Sequence, residues 1–335
     1  MNLVFELSKE HKTLPKAEIV ACLDAEHVSY DVIDSNENIM IIKADIKEQK
    51  IKRLARRLSM TFFIDKLLFS SLPSIKEIKK HAEVTTIEKK CSIAIRCKNR
   101  SNNIDSQPVI QTLAKVYSKD RTVALENPEV EIRGLIDDKR TYVGLKLAEI
   151  DRQQFEKRKV QYRPFFSPIS IHPKLARALV NLSLIKKDEL MLDPFCGTGG
   201  MLIEAGLIGA KIVGSDIENK MIEGCKKTLD FYKIKNYKLF CSDIGSIKKH
   251  VKKVNAVVTD LPYGKSTTTK GEEIKQLYER AFENISKVLE KNSRVVVGLS
   301  NKNMIPLGEK YFSLVDKHEF RAHRSLTRYF AIYQN

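Results

Sequence analysis

Residues 193–200 read Asp-Pro-Phe-Cys-Gly-Thr-Gly-Gly, between the strand-like run ELMLD and the helical pattern MLIEAGLIG. A strand, a glycine-rich turn and a helix in this order bring backbone N–H groups and a helix N-terminus close to a ligand. The Lys-Ser/Thr ending of a phosphate-binding P-loop is missing. An acid, Asp193, leads into the turn, where it would repel a pyrophosphate but suits the sulfonium and ammonium charges of S-adenosyl-L-methionine. Two more strand-like runs end in acids. Asp216, followed by Ile217, is placed to accept the ribose hydroxyls, and Asp243, followed by Ile244, to accept from the adenine amino group. A single Asp at a strand end is ordinary turn chemistry, but three in succession after a glycine turn form a specific combination. The expected cofactor site is Asp193, Pro194, Phe195, Cys196, Gly197, Thr198, Gly199, Asp216, Ile217, Asp243 and Ile244.

A fourth run ends in Asp260-Leu261-Pro262-Tyr263. This resembles the (Asp/Asn/Ser)-Pro-Pro-Tyr motif of methyltransferases that modify exocyclic amino nitrogens. An amine conjugated to a purine is a poor nucleophile because its lone pair is delocalised. The Asp260 carboxylate and a main-chain carbonyl of Leu261-Pro262 would accept its N–H hydrogens, aim the lone pair and stabilise positive charge on nitrogen. Tyr263 would offer a flat face to a flipped-out base. Leu261 departs from the motif, which has its first proline there, and the substitution predicts a less rigid loop.

The elements that must carry these residues follow from periodicity. Strand-like runs at 189–193, 211–216, 237–241, 255–260 and 294–299 are separated by helical stretches, which marks a doubly wound α/β sheet. Segments 311–316 and 328–333 are placed to supply two more strands. Residues 1–150 read differently: strands at 2–7, 38–44, 91–97, 129–136 and 141–147 mix with helices at 16–27, around 51–58, at 74–81 and at 108–117. The helix at 51–58 turns Ile51, Leu54, Ala55 and Leu58 to one side and Lys52, Arg53, Arg56 and Arg57 to the other. This half is α+β, without a phosphate loop, and reads as a binding module.

The chain carries 59 Lys and Arg against 42 Asp and Glu, a net charge of +17, which attracts a polyanion at long range. Residues 51–100 hold 13 basic and 4 acidic residues, and residues 151–175 hold 6 and 2. Two basic stretches a domain apart suit one long polyanion. The expected RNA contacts are Arg53, Arg56, Arg57, Lys157, Arg158, Lys159, Arg163 and Arg324. The cysteines Cys22, Cys91, Cys97, Cys196, Cys225 and Cys241 include no Cys-x-x-Cys pair, so no metal site is expected. Apolar runs such as NAVV at 255–258 are far too short to cross a bilayer, and a soluble, cytoplasmic protein is expected.

Taken whole, the sequence resembles the archaeal tRNA guanine-N2-methyltransferase family acting at guanosine 10. The most specific stretches are 162–182 (YRPFFSPISIHPKLARALVNL), 193–200, 260–264 and 323–330 (HRSLTRYF). The resemblance implies a ferredoxin-like region at 1–50, a THUMP RNA-binding domain at 51–150, a basic linker at 151–165 and a class I Rossmann-like methyltransferase domain at 166–335. It implies tRNA as partner, a monomer, and no membrane association; a small activator subunit, as eukaryotic relatives use, stays open. It also sets His172 to Arg177 against the methionine end of the cofactor, with His172 and Lys174 as contacts, and Arg321, His323, Arg324 and Arg328 near substrate phosphate. The number of methyl groups added is not fixed. Alternatives are a guanine-N2 enzyme acting at position 6, a DNA amino-methyltransferase, and a non-catalytic tRNA-binding subunit, which would be expected to lose Asp193, Asp216 or Asp260.

Overall fold

The computed structural model describes residues 1–87, 91–165, 170–263, 272–323 and 326–335. In chain order the first half runs β1 (Asn2–Leu7), α1 (Leu14–Ala25), β2 (Tyr30–Ser35), β3 (Ile39–Ala44), α2 (Glu48–Arg57), β4 (Thr61–Ser71), α3 (Ile75–Val84), β5 (Ile93–Asn99), α4 (Ser106–Tyr117), β6 (Val130–Ile136) and β7 (Thr141–Glu149). The second half adds α5 (Gln153–Lys157), α6 (Pro173–Leu182), β8 (Leu190–Asp193), α7 (Gly200–Leu207), β9 (Lys211–Asp216), α8 (Asn219–Phe231), β10 (Tyr237–Cys241) and α9 (Ile247–His250). It closes with β11 (Val254–Asp260), α10 (Ile274–Val288), β12 (Leu289–Leu299), α11 (Ile305–Glu309), β13 (Ser313–His323) and β14 (Leu326–Gln334).

The chain forms two compact units. One comprises Met1–Glu10, Val28–Ala55 and Thr61–Asp151; the other comprises His11–His27, Arg56–Met60 and Arg152–Asn335. The first is built on a seven-stranded sheet in the order β2-β3-β1-β4-β7-β6-β5. Strands β1 and β4 pair directly, Leu3 opposite Lys66, so the strands of residues 1–50 and 51–150 share one sheet. The expected boundary at 50/51 falls inside α2. Two strands had no sequence signal: β4 lacks apolar alternation, and β2 is an exposed edge strand.

The second unit has the sheet order β10-β9-β8-β11-β12-β14-β13, with β14 antiparallel to both neighbours and the remaining pairs parallel. Its central strand β11 (VNAVVTD) is rich in β-branched residues and buried along most of its length, as a parallel strand covered on both faces must be. One apolar layer gathers Leu175, Leu179, Leu202, Ile203 and Leu229, and a second gathers Leu277, Tyr278, Phe282 and Ile285. Strand order reverses between β8 and β11, which lie side by side with Val257 opposite Leu192. At such a switch point the loops beyond the strand ends diverge and leave a crevice. Among the described residues no helix is long and apolar enough to cross a membrane.

Two early segments are built into this second unit. Glu18 of α1 is fully buried and accepts hydrogen bonds from Ser59 N, Ser59 Oγ, Met60 N and Asn181 Nδ2. Burial pushes its carboxyl upward despite these donors. Arg57 points into the same layer, where Nη2 donates to Ile185 O at 2.8 Å and Nη1 lies 3.7 Å from Glu26.

Candidate active site

The glycine turn is shaped by backbone no side-chained residue adopts cheaply. Gly197 and Gly199 have φ of +48° and +83°, and a Cβ on Gly199 would stand 2.7 Å from Cys225 Sγ. Gly199 caps α7, and Cys196 N donates to Ser215 O at 2.9 Å, which stitches the turn to β9. Asp216 adds a second stitch: Oδ2 accepts from Gly197 N and Oδ1 from Glu218 N, both at 3.0 Å. Asp193 is buried at the end of β8, where Oδ1 accepts from Thr259 Oγ1 at 2.7 Å and Phe195 N at 3.2 Å. Burial pushes its carboxyl up to about 7, and the negative charges of Asp216 and Asp260 add to the rise.

These residues line a cavity of about 430 Å³ at the switch point. Of the residues singled out in the sequence, Asp193, Pro194, Phe195, Cys196, Gly197, Thr198, Asp216, Ile217, Asp243 and Ile244 line it. Gly199 does not line it but shapes the turn. At the far wall Asp243 Oδ1 accepts from Gly245 N at 2.8 Å and from Arg280 Nη1 at 2.5 Å. Arg280 is held in turn by Glu272, Nη2 to Oε2 at 2.6 Å. Glu218, Glu272 and Arg280 also line the cavity, outside the motifs that the sequence displays. Glu218, two residues after Asp216, was visible in the sequence; Arg280, 37 residues from Asp243, carried no signal.

The fourth strand end forms the other wall. Asp260 has a side chain 20% exposed; its Oδ1 accepts a short hydrogen bond from Tyr263 Oη, and its Oδ2 lies 3.4 Å from Arg328 Nε. Burial raises the Asp260 carboxyl, while Arg328 and Tyr263 oppose the rise. The Tyr263 phenol is pushed far up by burial and by Asp260, and the Arg328 guanidinium stands 5.7 Å from its ring centroid. Tyr263 thus faces the Asp260 carboxylate as well as the cavity. Leu261 does not loosen the loop as expected: its N–H donates to Gly298 O at 3.0 Å, a bond proline cannot make. Opposite, Gly298 gives the carboxylate its space, since a Cβ there would sit 2.1 Å from Asp260 Oδ1.

Several other expectations are corrected. His172 accepts from Lys174 N and caps α6, and Lys174 Nζ lies 3.3 Å from Glu156; neither lines the cavity, whereas Ser170 and Ile171 do. Arg177 is buried and pairs with Glu204 at 2.9 Å instead of reaching a cofactor carboxylate. Arg158 engages Glu204 through two bonds of 2.9 and 3.0 Å. Arg163 is buried and donates from Nε to Arg158 O. With Arg57, these are interior guanidinia and not RNA contacts. Arg328 is likewise buried, as counter-charge to Asp260. Arg53, Arg56 and Lys157 are exposed, Lys159 pairs with Glu156 at 2.5 Å, and Arg324 lies outside the described residues.

With the geometry in place, comparison with known proteins adds a family. Residues 160–329 match the model of UPF0020, the RMKL-like methyltransferase domain. The chain belongs to this methyltransferase family. It is 33% identical over 332 residues to the tRNA (guanine(10)-N2)-dimethyltransferase of Methanothermobacter thermautotrophicus, covering 98% of each chain. Among solved structures, TrmN from Thermus thermophilus is similar in fold, with a TM-score of 0.58 at 16% identity over all of both chains. SMU.472 complexed with SAH superposes with a TM-score of 0.54 at 14% identity, over 100% of this chain and 98% of its own. The cavity fits the cofactor of such a methyltransferase on its own chemistry. The buried carboxyl of Asp193, held by Thr259 and Phe195 N, suits an ammonium, and Ile217, Met221, Ile244 and Leu277 give apolar wall for an adenosine.

Proposed function

We propose that this protein transfers methyl groups from S-adenosyl-L-methionine to the exocyclic N2 of guanosine 10 in tRNA, forming N2-methylguanosine and, in a second round, N2,N2-dimethylguanosine. The observation that carries the reading is the Asp260–Tyr263 corner at the switch point beside a cavity walled by Asp193, Asp216 and Asp243. The full-length relative named as a tRNA (guanine(10)-N2)-dimethyltransferase supports both the base and the product.

When bound, S-adenosyl-L-methionine supplies a methyl group on a positively charged sulfur. Asp193 would hold its amino group, Asp216 the ribose hydroxyls and Asp243 the adenine amine. Asp260 accepts one N–H of the guanine amine and a carbonyl of the Leu261–Pro262 segment accepts the other, so the nitrogen lone pair points away from both acceptors. The negative carboxylate stabilises the charge that builds on nitrogen during displacement. The alkylated nitrogen sheds its extra proton readily to water, so no strong base is required.

For the first unit we propose a THUMP-type grip on the tRNA with a ferredoxin-like portion beside it, supported by the basic composition of 51–100 and by the exposed Arg53. Such contacts position the substrate and leave base choice to the catalytic corner. The test is incubation with unmodified tRNA transcript and labelled S-adenosyl-L-methionine, followed by nuclease digestion and mass spectrometry. Methyl on N2 of guanosine 10 is expected. Methyl on another base would overturn the reading, and methyl on guanosine 6 would replace the position.

A further inference from the structure

The motif at 260–263 has a leucine where related amino-methyltransferases have their first proline, yet its backbone is held from three sides. The Leu261 N–H is bonded to Gly298 O at 3.0 Å. The Pro262 ring fixes its own φ near −65°. The Pro262 carbonyl accepts from Tyr278 Oη at 2.9 Å. Between these points lies a single planar peptide, the one whose carbonyl belongs to Leu261. Fixing the N–H before it, the φ after it and the carbonyl beyond it leaves that oxygen little freedom to turn.

Tyr278 is fully buried on α10, next to Leu277 of the cavity wall. Its hydroxyl is placed from the other side by Ser300, whose Oγ lies at 3.3 Å and whose N–H donates at 3.4 Å. A phenylalanine would fill the same core, so the hydroxyl is not needed for packing. A buried phenol that had no acceptor would be costly, and the acceptor it meets is the catalytic loop.

We propose that Tyr278 is a positioning residue for the methyl acceptor: by holding the Pro262 carbonyl it presents the Leu261 carbonyl to the guanine amine. The proposal rests on the amino-group methylation argued above. Together with the Leu261–Gly298 bond it replaces the stiffness that the absent proline would have supplied. Tyr278 touches neither substrate nor cofactor and acts only through the loop.

The test compares wild type, Tyr278→Phe and Ser300→Ala in single-turnover methylation at saturating tRNA and cofactor, with rates normalised to cofactor-binding sites measured by titration. Because misplacing a reacting group by about 1 Å costs about a hundredfold, Tyr278→Phe should lose tenfold or more in rate. Affinities for S-adenosyl-L-methionine and tRNA should stay within about twofold, and Ser300→Ala should show a smaller loss of the same kind. A Tyr278→Phe rate within twofold of wild type overturns the proposal, as does a loss confined to cofactor affinity. If Tyr278→Phe does not fold, Ser300→Ala decides, and an unchanged rate there counts against the proposal. Wild type that methylates an atom other than a guanine amine would instead defeat the functional reading itself.

Discussion

Gly298→Ala tests the catalytic corner most sharply, because it adds one carbon and removes nothing. The new Cβ would lie 2.1 Å from Asp260 Oδ1, 3.1 Å from its Cγ and 3.2 Å from Tyr263 Oη. Non-bonded Cβ contacts below 3.0 Å are essentially never seen, so the carboxylate oxygen has to retreat by about 1 Å. That movement takes Oδ1 off Tyr263 and turns Oδ2 relative to Arg328, so both partners of the carboxylate shift with it. A displacement of that size costs about a hundredfold in rate when the displaced group orients the nucleophile. Overpacking should cost the fold about 1–3 kcal/mol, a modest loss for a chain of this size. Single-turnover methylation of tRNA transcript reads the first quantity, and thermal unfolding reads the second. A variant that stays folded and methylates within threefold of wild type would refute the claim that Asp260 acts from this position.

Further expectations follow from the same geometry. Asp260→Ala should abolish turnover while affinity for tRNA changes little; filter binding beside a methylation assay checks this, and a normal rate would remove Asp260 from catalysis. Asp193 makes the cofactor-free protein pH-sensitive: its folded pKa of about 7 lies above the unfolded value, so the folded state holds an extra proton between about pH 4 and 7. Stability from this group therefore falls as pH rises across that window, by about 4 kcal/mol in all. Cofactor binding runs the other way, because a cation needs the ionised carboxylate, so affinity by calorimetry should weaken about tenfold from pH 8 to pH 6; a flat profile, or an equal slope in Asp193→Asn, would count against it. Replacing Arg53 and Arg56 by glutamine should weaken tRNA binding and reduce its salt slope by about one unit per lost phosphate contact. Arg57→Ala should leave that slope alone and destabilise the protein by about 3–5 kcal/mol, since it strips a guanidinium from a buried polar cluster.

What the sequence made legible was local. The glycine turn and the acids at the ends of β8, β9, β10 and β11 announce themselves by residue types contiguous in the chain, and the four acids all reach the cavity. Side chains whose partners are remote could not be read that way. A run such as Lys157-Arg158-Lys159 looks uniformly solvated, yet Arg158 meets Glu204 46 residues later, while Lys157 stays exposed. The same holds for Asp243 and Arg280, and for Tyr278 and Pro262. In the first unit, β4 escaped because its apolar residues are not alternated, and its place in the sheet is fixed by β1 and β7. Leu261 was informative in the wrong direction: a missing proline suggested slack, and the N–H it restores supplies a bond.

The burial of Glu18, Ser59 and Arg57 against Asn181 and Ile185 has a consequence for how the catalytic half is made. Its first helix leaves the ribosome more than 150 residues before the helix it packs on, with strands β2 to β7 of the first sheet synthesised in between. The unit is therefore one of high contact order, and its early strand of synthesis must wait, with an acid and an apolar face uncovered, for partners that do not yet exist. A catalytic half started at Arg152 would be missing part of its own interior, the α1 helix with Glu18 and the Arg56–Met60 segment.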